Sequence, residues 1–482
     1  MSEESIKRSV TWEPVAAAVC FVSAPVCLAI GFVFTTRFLL DAQLHPWLHD
    51  TGLVLLIIGI PILILGGHFM DLRDKKVSEA KRRESSSNKP VHVLLAFMAL
   101  LCVLLMGTSK VSAQESDTTE PTSAEQQSDP KWQYGGFVDL AYPLDFNHPA
   151  NHLFRSRGTA FRTDSVWLNM TALYVRKRPS EESRWGVELT AQAGKDDEFF
   201  GFSATAPNIA GFKFLRHLGP TNVSYLAPAG KGLTLQAGIF NSLIGYDSLY
   251  AKDNFNYTRP WGADFTPYFM MGANASYPFT KKLTGTFFLV NGYWHLARAN
   301  SAPSAGGQIA YKVTPRVTLK ETTLFGPHQR NTSFEFWRFL TDTIVERKTD
   351  KFTLASEYIF STERVDAAGR PRALMMSWQL PAHWSLNDRW SLSFRPEVFW
   401  DRDGRWTLAR QTVKAFTSTL EYRVPYKSTN TIFRLEHRFD DSRGPEGGFF
   451  RGAESPSSVG LTPRQHLLIF ATIFTLDSPA LK

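Results

Sequence analysis

Three segments near the end of the 482-residue chain carry acid and base at alternate positions. "SLSFRPEVFWDRDGR" aims Arg395, Glu397 and Asp401 to one side of an extended backbone. "TSTLEYRV" adds Glu421 and Arg423, and "TIFRLEHRFDDS" adds Arg434, Glu436, Arg438 and Asp440. Rows of mixed sign on adjacent strands either satisfy one another and hold a wall together, or form a charged wall that orients ionic solutes. A second group, Asp247, Asp253, Arg259 and Asp264, stands among aromatics in the stretch 241–266. Hydrolysis would need a nucleophile and a base within reach of each other. No Ser-centred elbow and no His-rich motif stands out among the 12 histidines, and His437 falls by alternation on the face opposite Glu436 and Arg438. The expectation is therefore no catalytic residue, no metal and no cofactor.

The elements that must position these groups are strands. From Trp132 onward helical periodicity is nearly absent, and period-two segments rich in aromatic and β-branched residues recur. They are expected at 134–146, 163–176, 184–193, 221–229, 232–240, 267–277, 283–294, 304–313, 316–326, 334–346, 351–361, 371–380, 389–401, 411–424, 429–440 and 463–476. "PAGKG", "PFTKK", "KVTPR", "ERKTDK" and "PYKSTN" are tight turns that follow even-numbered strands. Odd-numbered strands lead into longer links, at 147–162, 194–220, 241–266, 362–370, 402–410 and 441–462. Short turns at one end and long loops at the other suit a transmembrane antiparallel β-barrel of about 16 strands, all-β in class. Val187, Leu189, Ala191 and Ala193 would face lipid while Glu188, Thr190 and Gln192 face inward. Leu233, Leu235, Ala237 and Ile239 repeat the pattern, as do Phe416, Leu420, Tyr422 and Val424 against Thr417, Thr419, Glu421 and Arg423. Two strands break it: 316–326 puts Glu321 on the apolar row, and 463–476 is apolar on both faces.

Ahead of the barrel, residues 1–90 hold two apolar runs, Val15 to Thr36 and Thr51 to Met70, each long enough for a membrane helix. They read as an inner-membrane hairpin or as an extension ahead of the true start. Residues 91–113 look like a signal peptide, with Val111 and Ala113 fitting the cleavage pattern, so that Gln114 would begin the mature chain. The polar stretch 114–131 reads as a disordered linker leading into the barrel at 132–482. Lys and Arg number 53 against 45 Asp and Glu; 11 and 9 of these lie before residue 114, which leaves 42 against 36, a mild excess of +6. That excess is scattered along strands, so nucleic acid is not an expected partner. Cys20, Cys27 and Cys102 all precede Ala113, so the exported part can form no disulfide.

"RPEVFWDRDG", "RLEHRFDDS", "GGFVDLAYPLDFNHP", "LTLQAGIFNSLIGYDS" followed by "SYPFT", and "VNGYW" together resemble the bacterial β-barrel porins of the OmpL-like kind. The resemblance covers nearly all of Trp132 to Leu476 and none of the first ninety residues. It implies an outer-membrane protein of Gram-negative-type bacteria, exported by its signal, folded by barrel-assembly machinery and surrounded by outer-membrane lipid. The implied function is passive diffusion of small polar or ionic solutes, and association into homo-oligomers is expected by analogy. General outer-membrane barrels tend to end on an aromatic residue, whereas here Phe474 is followed by "TLDSPALK". The analogy with sixteen-stranded porins would also fold the loop 241–266 inward to narrow the pore; the alternative is an external loop. A non-conducting structural or adhesive barrel is the other reading, with loops such as "DDSRGPEGGFFRGAESPSSVG" binding outside partners.

Overall fold

Period-two alternation gives each strand one apolar and one polar face, and in a bilayer such strands must pair until no backbone edge is left. A computed structural model describes residues 132–198, 215–329, 331–366, 372–455 and 458–478 of the chain. The hairpin, signal segment, Ala113 cleavage position and linker expected before residue 132 lie outside the described residues.

Sixteen antiparallel strands run in sequence order. The first eight are β1 (Gln133–Asp145), β2 (Trp167–Lys177), β3 (Trp185–Ala193), β4 (Thr221–Ala227), β5 (Leu233–Asn241), β6 (Phe269–Pro278), β7 (Leu283–Val290) and β8 (Ser304–Thr314). The next four are β9 (Val317–Pro327), β10 (Trp337–Lys348), β11 (Phe352–Glu363) and β12 (Ala373–Gln379, resuming as Ala382–Ser385). The last four are β13 (Trp390–Asp401), β14 (Gln411–Tyr426), β15 (Thr429–Arg443) and β16 (Arg464–Asp477). Each pairs with its sequence neighbour, and β1 pairs with β16 from Gly135↔Asp477 to Asp145↔Leu467, which closes the sheet. A small hairpin, Phe449–Ser455 with Ser458–Thr462, stands in the loop after β15.

The expected strands are nearly all present, with two instructive differences. The twelfth does not end at 380 but resumes after Pro381, which has no N–H to give the ladder and so interrupts it. The seventh ends at Val290, because Gly292 takes a left-handed φ of 145° and turns the following aromatics into a loop.

Register puts the apolar rows outside. Leu189, Leu235, Phe416, Leu420, Phe433, Leu435, Phe470 and Phe474 are exposed on that outer face. Trp132, Tyr134, Trp185, Phe279, Trp384, Trp390 and Tyr426 ring the turn-side rim, as expected of a membrane-interface aromatic girdle. Glu321 is on the outer row, where the Thr343 hydroxyl donates to it at 2.5 Å and that of Thr341 donates as well. Two threonines on the neighbouring strand thus meet part of a carboxylate's demand on a face otherwise apolar.

The outer row has a measurable consequence. Leu420→Arg, midway along β14, is expected to lower unfolding free energy in lipid vesicles by about 2–4 kcal/mol. A urea titration that finds no loss would show that this row does not face lipid.

Candidate functional site: the lumen and its inward loop

The loop between β5 and β6, residues 242–268, crosses the lumen instead of lying outside the barrel. Its path can be followed by its partners. The Leu243 carbonyl accepts from Gln308 Nε2 at 2.7 Å and from Thr322 Oγ1 at 3.0 Å, on β8 and β9. Gly245 sits at φ 94°, in the left-handed region that favours glycine, and its N–H donates to Asp342 Oδ2 of β10 at 2.7 Å. The Tyr246 N–H donates to Glu357 of β11 at 2.6 Å, and its hydroxyl to Glu346 at 2.6 Å.

On the opposite wall the charged row of β13 to β15 takes up the loop backbone. Arg434 donates to the carbonyls of Ala251 and Asn254 at 2.6 and 2.7 Å while its Nε holds Glu421 at 2.7 Å. Glu436 accepts the N–H groups of Tyr257 and Thr258 at 2.5 and 2.9 Å, and the Thr258 hydroxyl at 2.5 Å. Arg438 donates to the Arg259 carbonyl at 3.1 Å and pairs with Glu397 at 2.9 Å and Asp440 at 2.8 Å. Glu397 accepts the Trp261 N–H at 2.6 Å, and Asp440 accepts its indole N–H at 2.8 Å. The loop supplies unpaired backbone groups inside the barrel, and the wall supplies charged groups whose hydrogen-bonding capacity its own ion pairs leave partly unfilled.

The other candidates divide. Arg395 is fully buried beside Glu397 at 3.6 Å and Asp247 at 3.9 Å, and Asp247 also accepts from Gln379 at 2.8 Å. Asp401 stands on the same inward row, at the loop end of β13, and caps the loop that follows it, accepting the N–H groups of Arg405, Trp406 and Thr407. Arg423 lies half-exposed towards the turn side, paired with Glu421 at 2.5 Å. Arg259 pairs with Asp196 at 3.0 Å and Asp264 with Arg157 at 2.9 Å, joining the loop to the two loops before it. Asp253 is exposed beside Lys252 at 2.7 Å.

The apolar inner face of β16 now has a reason. Leu467, Ile469, Ala471 and Ile473 point inward and are buried in one cluster with Phe137, Tyr250, Ala251, Tyr257 and Trp261. A strand apolar on both faces is thus a strand whose lumen side is covered, a signal of the inward loop. Residues that sequence reading missed are Asp139, which accepts from the Tyr257 hydroxyl at 2.9 Å, and Asp342, Glu357, Asp196 and Arg157. Each is an inward or loop charge outside the three segments that drew attention.

Beneath the loop, towards the turns, remains a cavity of about 340 Å³ lined by Arg176, Glu188, Tyr246, Asp247, Lys252 and Asp253 among others. Its neighbouring wall is an uncharged ladder: Gln236 donates to Asn222 at 2.8 Å, Asn274 to Gln236 at 2.9 Å, and Thr286 to Ser276 at 3.0 Å. The lumen therefore has a charged side occupied by the loop and a neutral side of amides and hydroxyls.

A sixteen-stranded closed sheet with this loop layout accords with sequence comparison. The family model described as "Putative beta-barrel porin-2, OmpL-like" matches residues 131–476. The chain belongs to this family. This outer-membrane β-barrel porin is similar in fold to several solved structures. The anion-selective porin from Comamonas acidovorans is 10% identical, with 72% of this chain and 99% of that one covered and a TM-score of 0.45. The outer-membrane channel DcaP of Acinetobacter baumannii is 8% identical, covering 72% and 97%, with a TM-score of 0.44. In-vitro folded OmpT of Vibrio cholerae is 8% identical, covering 73% and 99%, with a TM-score of 0.43. No curated protein sequence matches the porin.

Two measurements test the loop's anchorage. Glu436→Ala leaves two buried loop N–H groups without acceptors, each costing about 1–3 kcal/mol, so the unfolding midpoint in urea should fall sharply. An unchanged midpoint would mean the loop does not rest on Glu436. Burial raises the Asp196 carboxyl from 3.8 to about 6, with Arg259 opposing. A carboxyl raised in the folded state contributes most to stability below its unfolded value, and that contribution is lost as pH rises through about 6. Asp196→Asn has no such loss, so its stability relative to the parent should rise by about 2 kcal/mol from pH 4 to pH 8. A difference independent of pH would refute the burial of Asp196.

Proposed function

We propose that this porin conducts small polar or ionic solutes passively across the outer membrane, along the neutral side of the lumen and past the inward loop. The observation that carries the reading is the polar cavity of about 340 Å³ left beneath the loop. Amides and hydroxyls replace part of a solute's hydration without trapping it, which diffusion through a channel requires. The mixed-sign row of β13 to β15 then acts chiefly on the loop and sets the width of the passage. Arg176, Glu188, Lys252 and Asp253 are the charges left to bias ion selectivity at the turn side.

A second reading is favoured by the loop's bonds to β8 through β11 on one side and β13 to β15 on the other. A loop tied on both sides can seal a barrel, and the protein would then be a structural or adhesive porin that does not conduct.

Single-channel recording of full-length protein extracted from outer membranes separates the two. Discrete steps in a planar bilayer are expected, with a salt gradient giving the sign of selectivity. Deleting 248–262 should raise the step size severalfold. Absence of steps in the parent together with steps in the deletion would establish the sealed barrel, and equal step sizes in both would remove the loop as the constriction.

A further inference from the structure

On the loop-side rim of the outer face, three neighbouring strands carry a basic cluster that takes no part in lining the lumen. Lys414 of β14 lies across from Asp441 of β15, which lies across from Arg464 of β16, and Arg443 stands two residues beyond Asp441 on the same row. Arg443 Nε and Arg464 Nε reach the two oxygens of Asp441 at 3.0 and 3.3 Å. The side chain of Asp441 is only 13% exposed, while those of the two arginines remain 71% and 67% exposed. Three cations against one carboxylate leave the cluster at +2.

Asp441 is thus a brace. It holds two guanidinium groups side by side at the rim and leaves most of their donors facing outward. Planar guanidinium forks match phosphate oxygens two at a time, and bracing them in advance lowers the ordering cost of binding. Immediately below on the outer face lie Phe439 and His466, with ring centroids 4.7 Å apart, then His437, stacked on His466 at 5.5 Å, and then exposed Leu435 and Phe470. Free phosphate would have no use for that apolar row. An amphiphile with a phosphorylated head and acyl tails would use both.

We propose that Lys414, Arg443 and Arg464, braced by Asp441, bind the phosphorylated headgroup of a lipid in the leaflet at the loop side of the barrel. The site goes beyond the channel reading and does not depend on conductance. Anionic lipid is drawn to clustered Lys and Arg at a membrane surface, and here the strand ends fix those residues at headgroup height.

The test uses full-length protein in detergent, with binding followed by native mass spectrometry. The probes are a diglucosamine lipid bearing two phosphates and the same lipid with both removed. The parent should prefer the phosphorylated form at least tenfold. K414Q/R443Q/R464Q should lose that preference while binding the dephosphorylated lipid as before. R464Q alone should lose at least threefold, which keeps the proposal testable if the triple variant folds poorly. K281Q/K282Q, which removes two charges from the turn-side rim, should bind like the parent. Equal binding of both lipids by the parent, an unaltered triple variant, or an equal loss in K281Q/K282Q would each overturn the site. Full displacement of the lipid by equimolar inorganic phosphate would overturn it too, by making the cluster a site for free anions.

Discussion

Every backbone polar group inside a bilayer must find a partner within the protein, and the rest of this structure depends on that constraint. The sheet meets it by closing β1 onto β16. The loop 242–268 faces a related demand where it is buried against the wall, as at Tyr257, Thr258 and Trp261, whose N–H and C=O groups need partners within the protein. Arg434, Glu436, Arg438 and Glu397 answer that demand, each taking or giving hydrogen bonds to loop backbone or to one another.

The charged row therefore has a primary role different from that of a bare selectivity filter. Its members other than Arg423 are almost wholly buried, and a buried charge is tolerable where it is paired and hydrogen-bonded. The loop and the wall neutralise each other's cost: carbonyls meet guanidinium groups, and amide hydrogens meet carboxylates. On the other side of the barrel Asn222, Gln236, Asn274 and Ser276 form a ladder without charge. A like division holds outside, where the rows are apolar and charge is confined to the rims, with Glu321 held by threonine hydroxyls as the exception.

Much of the fold was legible because alternation is a local signal. Leu189 and Ala191, and Leu235 and Ala237, face outward as their spacing requires, whereas Ile239 of the same row is buried, and the turn-and-loop parity places both ends of the barrel on one rim. Pro381 and Gly292 mark where the reading slipped, since each stops a ladder without disturbing the apolar pattern around it. The doubly apolar β16 stands out from the alternation of the other strands. Its explanation needed the loop, because nothing within 464–477 says what lies against its inner face.

The sequence by itself determined the class of fold, the number of strands, and which side chains point in and which point out. These follow from a period of two residues and from turn chemistry, and both act over a few positions. Tertiary structure decided what the inward charges meet. Glu436 and Thr258 are 178 residues apart, and Trp261 and Asp440 are 179 apart. Contacts of that range depend on barrel closure and on the loop's course through the lumen, which no local pattern encodes. Once the sheet has closed, the space inside admits the loop where its backbone can be satisfied, by Gln308, Thr322, Asp342 and Glu357 on one wall and by the charged row of β13 to β15 on the other.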